Sequence, residues 1–134
     1  MGENGMTIFL DSDVLIDCLR GTDSSRAWLA SVSSESFQVP GIVAMELAAG
    51  CQNRLELQRV QKFLNAFEIV WPTASDIEQA HQLLLEHRLS SGLGIPDCII
   101  AAMTLSRSAR LYTFNSKHFR VVSGLDAQEP YSRI

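Results

Sequence analysis

The feature that most constrains the fold of this chain is a short apolar run that ends in an aspartate and leads directly into a second apolar run. Residues 7–10 suit a buried strand, Asp11 stands where that strand would end, and Ser12 offers a cap to the helix that follows. A buried strand that runs into a helix is the first half of a βαβ unit, and ligands of open α/β sheets bind beyond the carboxyl ends of the strands. The segment therefore predicts a functional position at Asp11, with the alternative that Asp11, Ser12 and Asp13 only cap the helix.

Short apolar runs alternate with longer helical patterns along the rest of the chain. Further strand patterns fall at residues 35–39, 67–71, 110–114 and, as a short final strand, 121–122. This alternation predicts a three-layer α/β/α domain around a mainly parallel sheet of four to five strands. Right-handed crossovers would then bring the carboxyl ends of the strands to one edge of the sheet.

The length and apolar content fit one domain with its own core. The sequence has 134 residues, 46% of them hydrophobic and 19% charged, so we predict one domain over residues 1–134, with residues 1–5 as a disordered leader. No apolar run approaches the roughly 18 residues that a membrane span needs, and the start lacks a signal-peptide pattern, so we expect no membrane association. The cysteines, Cys18, Cys51 and Cys98, form no CxxC pair and are expected to be reduced thiols of a cytoplasmic protein.

The formal net charge of −4 gives the protein no global basic field. This charge counts against a polyanionic substrate such as nucleic acid, because such substrates are usually gripped by basic surfaces. A metal-dependent site, however, needs clustered carboxylates, and a partner protein or a dimer groove can supply the positive charge.

Three further polar residues stand where the predicted fold would bring them toward Asp11. Glu46 is the one charged residue in the apolar helical run 42–50, where a carboxylate is rarely stable without a partner or a metal. Asp97 opens a very apolar helix, and Asn115 directly follows the fourth predicted strand. The alternatives are a surface position for Glu46 and a first-turn role for Asp97, which would stabilise its helix dipole by roughly 0.3–1 kcal/mol.

Together these four side chains offer the oxygen ligands that Mg²⁺ and Mn²⁺ prefer, whereas zinc would favour His or Cys. Three carboxylates within a few ångströms of one another repel unless a cation lies between them. Such a site can deprotonate a bound water and stabilise the charge that develops on a phosphodiester under in-line attack.

Four segments of the chain resemble the signature blocks of PIN-domain ribonucleases, most of all those of the VapC-type toxins of bacterial toxin–antitoxin modules. The segments are residues 9–16, 43–50, 96–102 and 112–119, and they follow the family's order across nearly the whole chain. The resemblance implies a PIN-like fold with the sheet order 3-2-1-4-5. It also implies that Asp11, Glu46 and Asp97 are metal ligands and, with Asn115, the catalytic residues.

Two residues depart from the usual pattern of this family. Asn115 stands where the family often has aspartate, and since a neutral amide binds Mg²⁺ less strongly than a carboxylate, the choice between one metal and two stays open. Asp13 stands where relatives commonly have asparagine; it either restores negative charge or caps its helix, and we favour the cap. Ser12 and Thr113 match hydroxyl positions that would support the site through hydrogen bonds, and His118 is expected to line the groove.

The resemblance implies a Mg²⁺- or Mn²⁺-dependent endoribonuclease that acts on RNA as the toxin of a VapBC-type pair and forms a homodimer. A small antitoxin protein would inhibit it by covering the acidic groove. Two alternatives are left open by the residues alone. One is a catalytically weak PIN-like module that binds RNA or protein, and the other is a metal-dependent phosphatase on a similar sheet.

Overall fold

In the computed structural model, which describes residues 6–32 and 36–133, five strands form one sheet. In chain order they are β1 (Ile8–Leu10), β2 (Phe37–Pro40), β3 (Glu68–Val70), β4 (Arg110–Tyr112) and β5 (Asp126–Gln128). Their order across the sheet is β3-β2-β1-β4-β5, and every pairing is parallel. The expected parallel sheet and its 3-2-1-4-5 order are confirmed, while the predicted leader, residues 1–5, lies outside the described residues.

Seven helices within these ranges connect the strands and complete a three-layer α/β/α fold, as the sequence predicts. They are α1 (Ser12–Arg20), α2 (Asp23–Ser31), α3 (Gly41–Ala49), α4 (Arg54–Leu64), α5 (Ala74–Ser91), α6 (Ile95–Ser106) and α7 (Ser116–Phe119). Helix α1 packs against α2 and α3, α3 also contacts α4 and α6, and α5 lies along α6. None of the helices in the described part of the chain combines the length and apolar content of a membrane span.

The central strand β1 is buried along its whole length, as expected for a parallel strand covered on both faces. Phe9 and Leu10 are fully buried, and α6 adds Met103 to the same core. Because β1 lies between β2 and β4, its carboxyl end is at the middle of the sheet edge. The Asp11 N–H continues the strand ladder there with a hydrogen bond of 3.0 Å to the carbonyl of Tyr112.

The predicted final strand at residues 121–122 is wrong. Val122 is buried in the core, but the chain turns there, and the fifth strand follows at Asp126–Gln128. That strand lies at the edge of the sheet and buries only Ala127, so it carries no apolar run that a sequence pattern could reveal. The strand forms because it pairs with β4, with Leu111 opposite Ala127, and the sequence of residues 126–128 alone does not predict this pairing.

Helix α3 is less buried than its apolar sequence suggests. Met45 is 57% exposed, because one face of α3 borders an open apolar groove and not another layer. The groove has a volume of about 380 Å³ and is lined by Met45, Leu57 and Trp71, among others. The Trp71 ring lies so close to the start of α3 that a Cβ on Gly41 would come within 2.2 Å of it, so any larger residue at position 41 would displace this ring.

The α5–α6 layer contains a buried carboxylate, Asp76, which is 3% exposed. It accepts hydrogen bonds from Thr73 N–H (2.9 Å), the Ser106 hydroxyl (2.9 Å) and the Arg107 guanidinium (3.1 Å).

We expect Asp76→Ala to lower the free energy of unfolding by about 2–3 kcal/mol, because these donors lose their acceptor. Urea denaturation measures the change, and Glu78→Ala on an exposed position of α5 should change it by less than about 0.5 kcal/mol. Equal losses in the two variants would contradict this role of Asp76.

Candidate active site

Asp11 precedes helix α1 and is almost fully buried, with 8% of its surface exposed. Its Oδ1 accepts a hydrogen bond from Ser12 N–H (2.8 Å), and its Oδ2 accepts one from the Thr113 hydroxyl (2.8 Å). We expected Ser12 to cap α1, but the N-cap is Asp11 itself. Burial raises the pKa of Asp11, and the charge of Asp97 raises it further, while the hydrogen bonds from Thr113 and Ser12 oppose the shift.

Asp13, two residues later, reaches across to the loop that follows β4. Its Oδ2 accepts a hydrogen bond from Phe114 N–H at 3.1 Å and lies 3.5 Å from the Thr113 hydroxyl. The cap that we favoured for Asp13 is therefore wrong: Asp11 provides it, and Asp13 joins α1 to this loop. Its Oδ1 is buried and has no hydrogen-bond partner among the described residues. Burial, followed by the charge of Asp11, raises the pKa of Asp13 to about 6.

Glu46 extends from α3 toward the same carboxylates. Its Oε1 is buried and, within the part of the chain that the structure describes, has no hydrogen-bond partner. Burial raises the pKa of Glu46, and the charges of Asp11, Asp97 and Asp13 raise it further. Because three carboxylates act on it, Glu46 is not an isolated surface residue, which was the alternative that the sequence left open.

Asp97 lies in the first turn of α6 and is partly buried. Its Oδ2 accepts a hydrogen bond from Gly94 N–H at 3.2 Å, so the side chain also caps the start of this helix. The same oxygen lies 3.4 Å from Nε2 of His118. Asp97 thus combines the capping role that the sequence allowed with a place among the carboxylates, because its charge raises the pKa of both Asp11 and Glu46.

Asn115 lies at the border of this acidic group, by which we mean Asp11, Asp13, Glu46 and Asp97. It is exposed, and its backbone N–H donates a hydrogen bond of 3.0 Å to the hydroxyl oxygen of Thr113. Its side chain makes no capping hydrogen bond to α7. The structure therefore brings the carboxylates within electrostatic reach of one another, whereas Asn115 contacts them only through the loop to which it belongs.

The carboxylate oxygens of the acidic group are ligands that suit a hard divalent cation. Two of its oxygens, Asp13 Oδ1 and Glu46 Oε1, are buried without a described donor, which is costly unless a cation lies nearby. As the side chains stand, no three His, Cys, Asp or Glu residues in ranges 6–32 and 36–133 converge tightly enough to hold an ion. Because carboxylate oxygens are the ligands that Mg²⁺ and Mn²⁺ favour, the chemistry of the donor set fits these ions.

Sequence reasoning missed a further carboxylate, Asp17, on the helix that carries Asp13. Asp17, on α1, is 9% exposed and accepts hydrogen bonds from the Tyr131 hydroxyl and the Arg133 guanidinium. The segment after β5 showed little periodicity, so no pattern marked it as part of the structure around Asp11. An aromatic residue and a cation near the end of an otherwise unpatterned tail are the only signal that the sequence offers.

Comparison with known proteins identifies the family of the chain. Residues 8–125 match the PIN domain family. Ribonuclease VapC10 of Mycobacterium tuberculosis is 30% identical over 113 residues, which cover 84% of this chain and 85% of that protein. The chain therefore belongs to the PIN-domain family, and within it to the group of VapC-type ribonucleases that its four sequence blocks resemble.

Solved structures of toxin–antitoxin complexes share the fold. A chain of VapBC2 from Rickettsia felis, bound to a DNA fragment from its promoter, has a TM-score of 0.79 at 22% identity and covers 92% of this chain and 98% of its own. A chain of DNA-bound VapBC from Salmonella typhimurium has a TM-score of 0.78 at 20% identity and covers 95% of this chain and 100% of its own. At such identities the likeness establishes the fold, which is the expected PIN-like one.

Proposed function

We propose that the protein is a metal-dependent endoribonuclease, the toxin of a VapBC-type pair, which hydrolyses RNA phosphodiester bonds with a metal-activated water in the cytoplasm. The observation that carries this proposal is the buried Oε1 of Glu46, which has no described hydrogen-bond partner and lies close enough to Asp11 and Asp97, from distant parts of the chain, for their charges to raise the pKa of Glu46. Membership of the PIN-domain family and the identity to a ribonuclease support the same reaction class.

Asp11, Glu46 and Asp97 would hold Mg²⁺ or Mn²⁺, and Asn115 would complete the shell. When bound, the ion lowers the pKa of a coordinated water and offsets negative charge on the phosphodiester. Asp11 is the most firmly positioned of the ligands, because a backbone N–H and the Thr113 hydroxyl fix its two oxygens. Glu46, whose Oε1 has no described partner, can hold the metal or orient the attacking water.

A groove between α1, α3 and α4 suits the antitoxin. Its volume is about 470 Å³, and its lining includes Ile16, Leu19, Arg59 and Glu46. We propose that an antitoxin segment lies here, because several structural neighbours of this chain are toxin–antitoxin complexes. Since Glu46 lines the groove, a segment bound in it would cover this proposed metal ligand and hinder the approach of RNA.

A stripe of exposed apolar residues on α5 suits a second copy of the chain. Ile77, Leu85 and Leu89 share one face of the helix and are 44%, 66% and 100% exposed. We expect the protein to be a homodimer through this stripe and Leu85→Asp to be a monomer, because a charge in an apolar interface is not compensated. Light scattering after size exclusion measures the mass. A monomeric wild type would contradict the dimer, and a dimeric Leu85→Asp would contradict this face.

A cleavage assay tests the proposed activity. The purified protein is incubated with a mixed RNA pool in Mg²⁺, in Mn²⁺ and in EDTA, beside the Asp97→Asn variant and a small phosphomonoester. We expect the wild type to cut RNA only with a divalent ion and Asp97→Asn not to cut it, because this change removes a charged ligand while keeping an acceptor for Gly94 N–H. The matched control is Asp23→Asn, which changes the first-turn aspartate of α2 and should cut RNA normally.

Each alternative gives a different result in this assay. Retention of RNA without cutting would favour a PIN-like binding module, in which the neutral Asn115 leaves the site too weak to act. Release of phosphate from the monoester alone would favour a phosphatase. Cutting that continues in EDTA, or that Asp97→Asn leaves intact, would contradict the proposed metal-dependent ribonuclease.

A further inference from the structure

The segment after β5 folds back over α1 and holds the carboxylate of Asp17. The Tyr131 hydroxyl donates to Asp17 Oδ2 at 3.0 Å. Arg133 donates from Nε to the same oxygen at 3.1 Å and from Nη2 to Oδ1 at 3.2 Å. This two-pronged contact is the arrangement in which arginine fixes both the distance and the orientation of a carboxylate.

Arg133 also touches both sides of the link between α1 and the loop after β4. Its Nη2 donates to the backbone carbonyl of Asp13 at 3.3 Å, and its guanidinium carbon lies 3.8 Å from the centroid of the Phe114 ring. The Tyr131 ring packs against the same Phe114 ring, with centroids 5.1 Å apart. Since Phe114 N–H donates to Asp13 Oδ2, Arg133 contacts the two residues that this hydrogen bond joins.

We propose that Arg133 is a positioning residue of the acidic site, which clamps the first turn of α1 to the loop after β4 so that Asp11 and Asp13 are held where a divalent cation binds. This inference rests on the metal site of the proposed function and adds a residue to it. The loop that Arg133 holds carries Thr113, whose hydroxyl donates to Asp11 Oδ2. A displaced loop would therefore release both aspartates together.

Arg133 can affect cation binding through its charge or through its hold on the loop, and the two effects have opposite signs. The direction of the change in a variant therefore shows which effect dominates. A guanidinium near the carboxylates opposes a divalent cation by charge alone, so a variant that only removed the charge would bind the metal more tightly. A variant that freed the loop would bind it more weakly, because the ligands would have to be ordered on binding. The Arg133 side chain is 47% exposed, so its ion pair with Asp17 adds little to overall stability.

The test is the dissociation constant of Mn²⁺, measured through the electron paramagnetic resonance signal of the free ion, on the metal-free full chain. We expect Arg133→Met to raise this constant by about tenfold, the low end of the range for lost partners of metal ligands, because Thr113, the partner of Asp11, lies on the loop that Arg133 holds. Arg133→Lys keeps the charge but lacks the two-pronged geometry, so we expect it to bind Mn²⁺ more weakly than the wild type, though less weakly than Arg133→Met does. All variants are measured well below their unfolding midpoints, which keeps any small loss of stability out of the comparison.

The matched control is Arg110→Met. Arg110 also ties the last part of the chain to the body through a carboxylate, with Nε 3.1 Å from Asp126 Oδ2, but it lies at the opposite end of β4. We expect its Mn²⁺ constant to equal that of the wild type. Unchanged or tighter binding in Arg133→Met, or an equal weakening in Arg110→Met, would overturn the clamp while leaving the metal site intact. If the wild type does not bind Mn²⁺ saturably, the proposed function fails and the clamp fails with it.

Discussion

Glu46→Gln is expected to cut RNA at least about a hundredfold more slowly than the wild type and, without metal, to unfold at a higher temperature. The loss of activity follows because an amide cannot replace a carboxylate that holds a cation or orients water. Even mutation of a residue that only hydrogen-bonds to a metal ligand lowers metal affinity or activity by roughly 10–100-fold. The gain in stability follows because burial and the charges of Asp11, Asp97 and Asp13 all disfavour an ionised Glu46. A neutral side chain of the same shape relieves that repulsion.

Opposite changes in activity and Tm distinguish this explanation from simple misfolding. RNA cleavage rates in Mg²⁺ and thermal melts in EDTA measure the two effects on the same preparations. Glu78→Gln, an exposed position of α5, is the control and should change neither. A Glu46→Gln variant that melts several degrees below the wild type would show that Glu46 serves the fold, and one that cuts RNA at the normal rate would remove it from the site.

Divalent metal is expected to raise the Tm of the protein by about 10 °C when the free ion reaches a hundred times its dissociation constant. At that ratio, binding to the folded state alone contributes about 2.7 kcal/mol, and for a domain of this size each kcal/mol corresponds to roughly 3–4 °C. Melts with Mg²⁺ or Mn²⁺ against EDTA measure this rise in Tm. A shift of equal size in Asp97→Asn would place the bound ion elsewhere.

The stability of the metal-free protein should fall as the pH rises, and the stabilisation by metal should grow. Burial and the charge of Asp11 raise the pKa of Asp13 from 3.8 to about 6 on folding, and Glu46 shifts in the same direction, while Arg133 opposes the change at Asp13. A raised pKa contributes stability that is present below the unfolded value and is lost as the pH rises through the folded value. The metal-free protein should therefore be more stable near about pH 5 than near about pH 7.5, and the gain from metal should grow over that interval.

Local sequence was sufficient to predict where the strands end and which acidic residues follow them. Burial of β1 on both faces requires a continuous apolar run, so the charged Asp11 indicated where the strand ends. Asp97 was a candidate because it is the one charged residue in the apolar sequence of α6. The order of the strands came from the family resemblance, since periodicity does not determine which strands are neighbours. The strand β5 could not be found, because an edge strand with one buried residue has no pattern of its own.

The partners of the acidic side chains could not be predicted from spacing. Asp13 was expected to cap its helix, but its hydrogen bond comes from Phe114, which is 101 residues away and reaches it only through the packing of α1 against the end of β4. The same holds for Arg133 and Asp17, 116 residues apart. Local preference places a side chain on an element, whereas contacts between elements depend on the packing of the whole fold. The metal role of Asp11, Glu46 and Asp97 stays a prediction that experiment must test.

The most direct test of the central claim is anomalous diffraction from a crystal of the wild type soaked in Mn²⁺. We expect a strong peak at the carboxyl edge of the sheet, with carboxylate oxygens of Asp11, Glu46 and Asp97 at about 2.1 Å or bridged to it by water. The peak should be absent from an Asp97→Asn crystal soaked in the same way. A Mn²⁺ ion bound away from these residues, or no ordered ion in a wild type that still cuts RNA, would contradict the account.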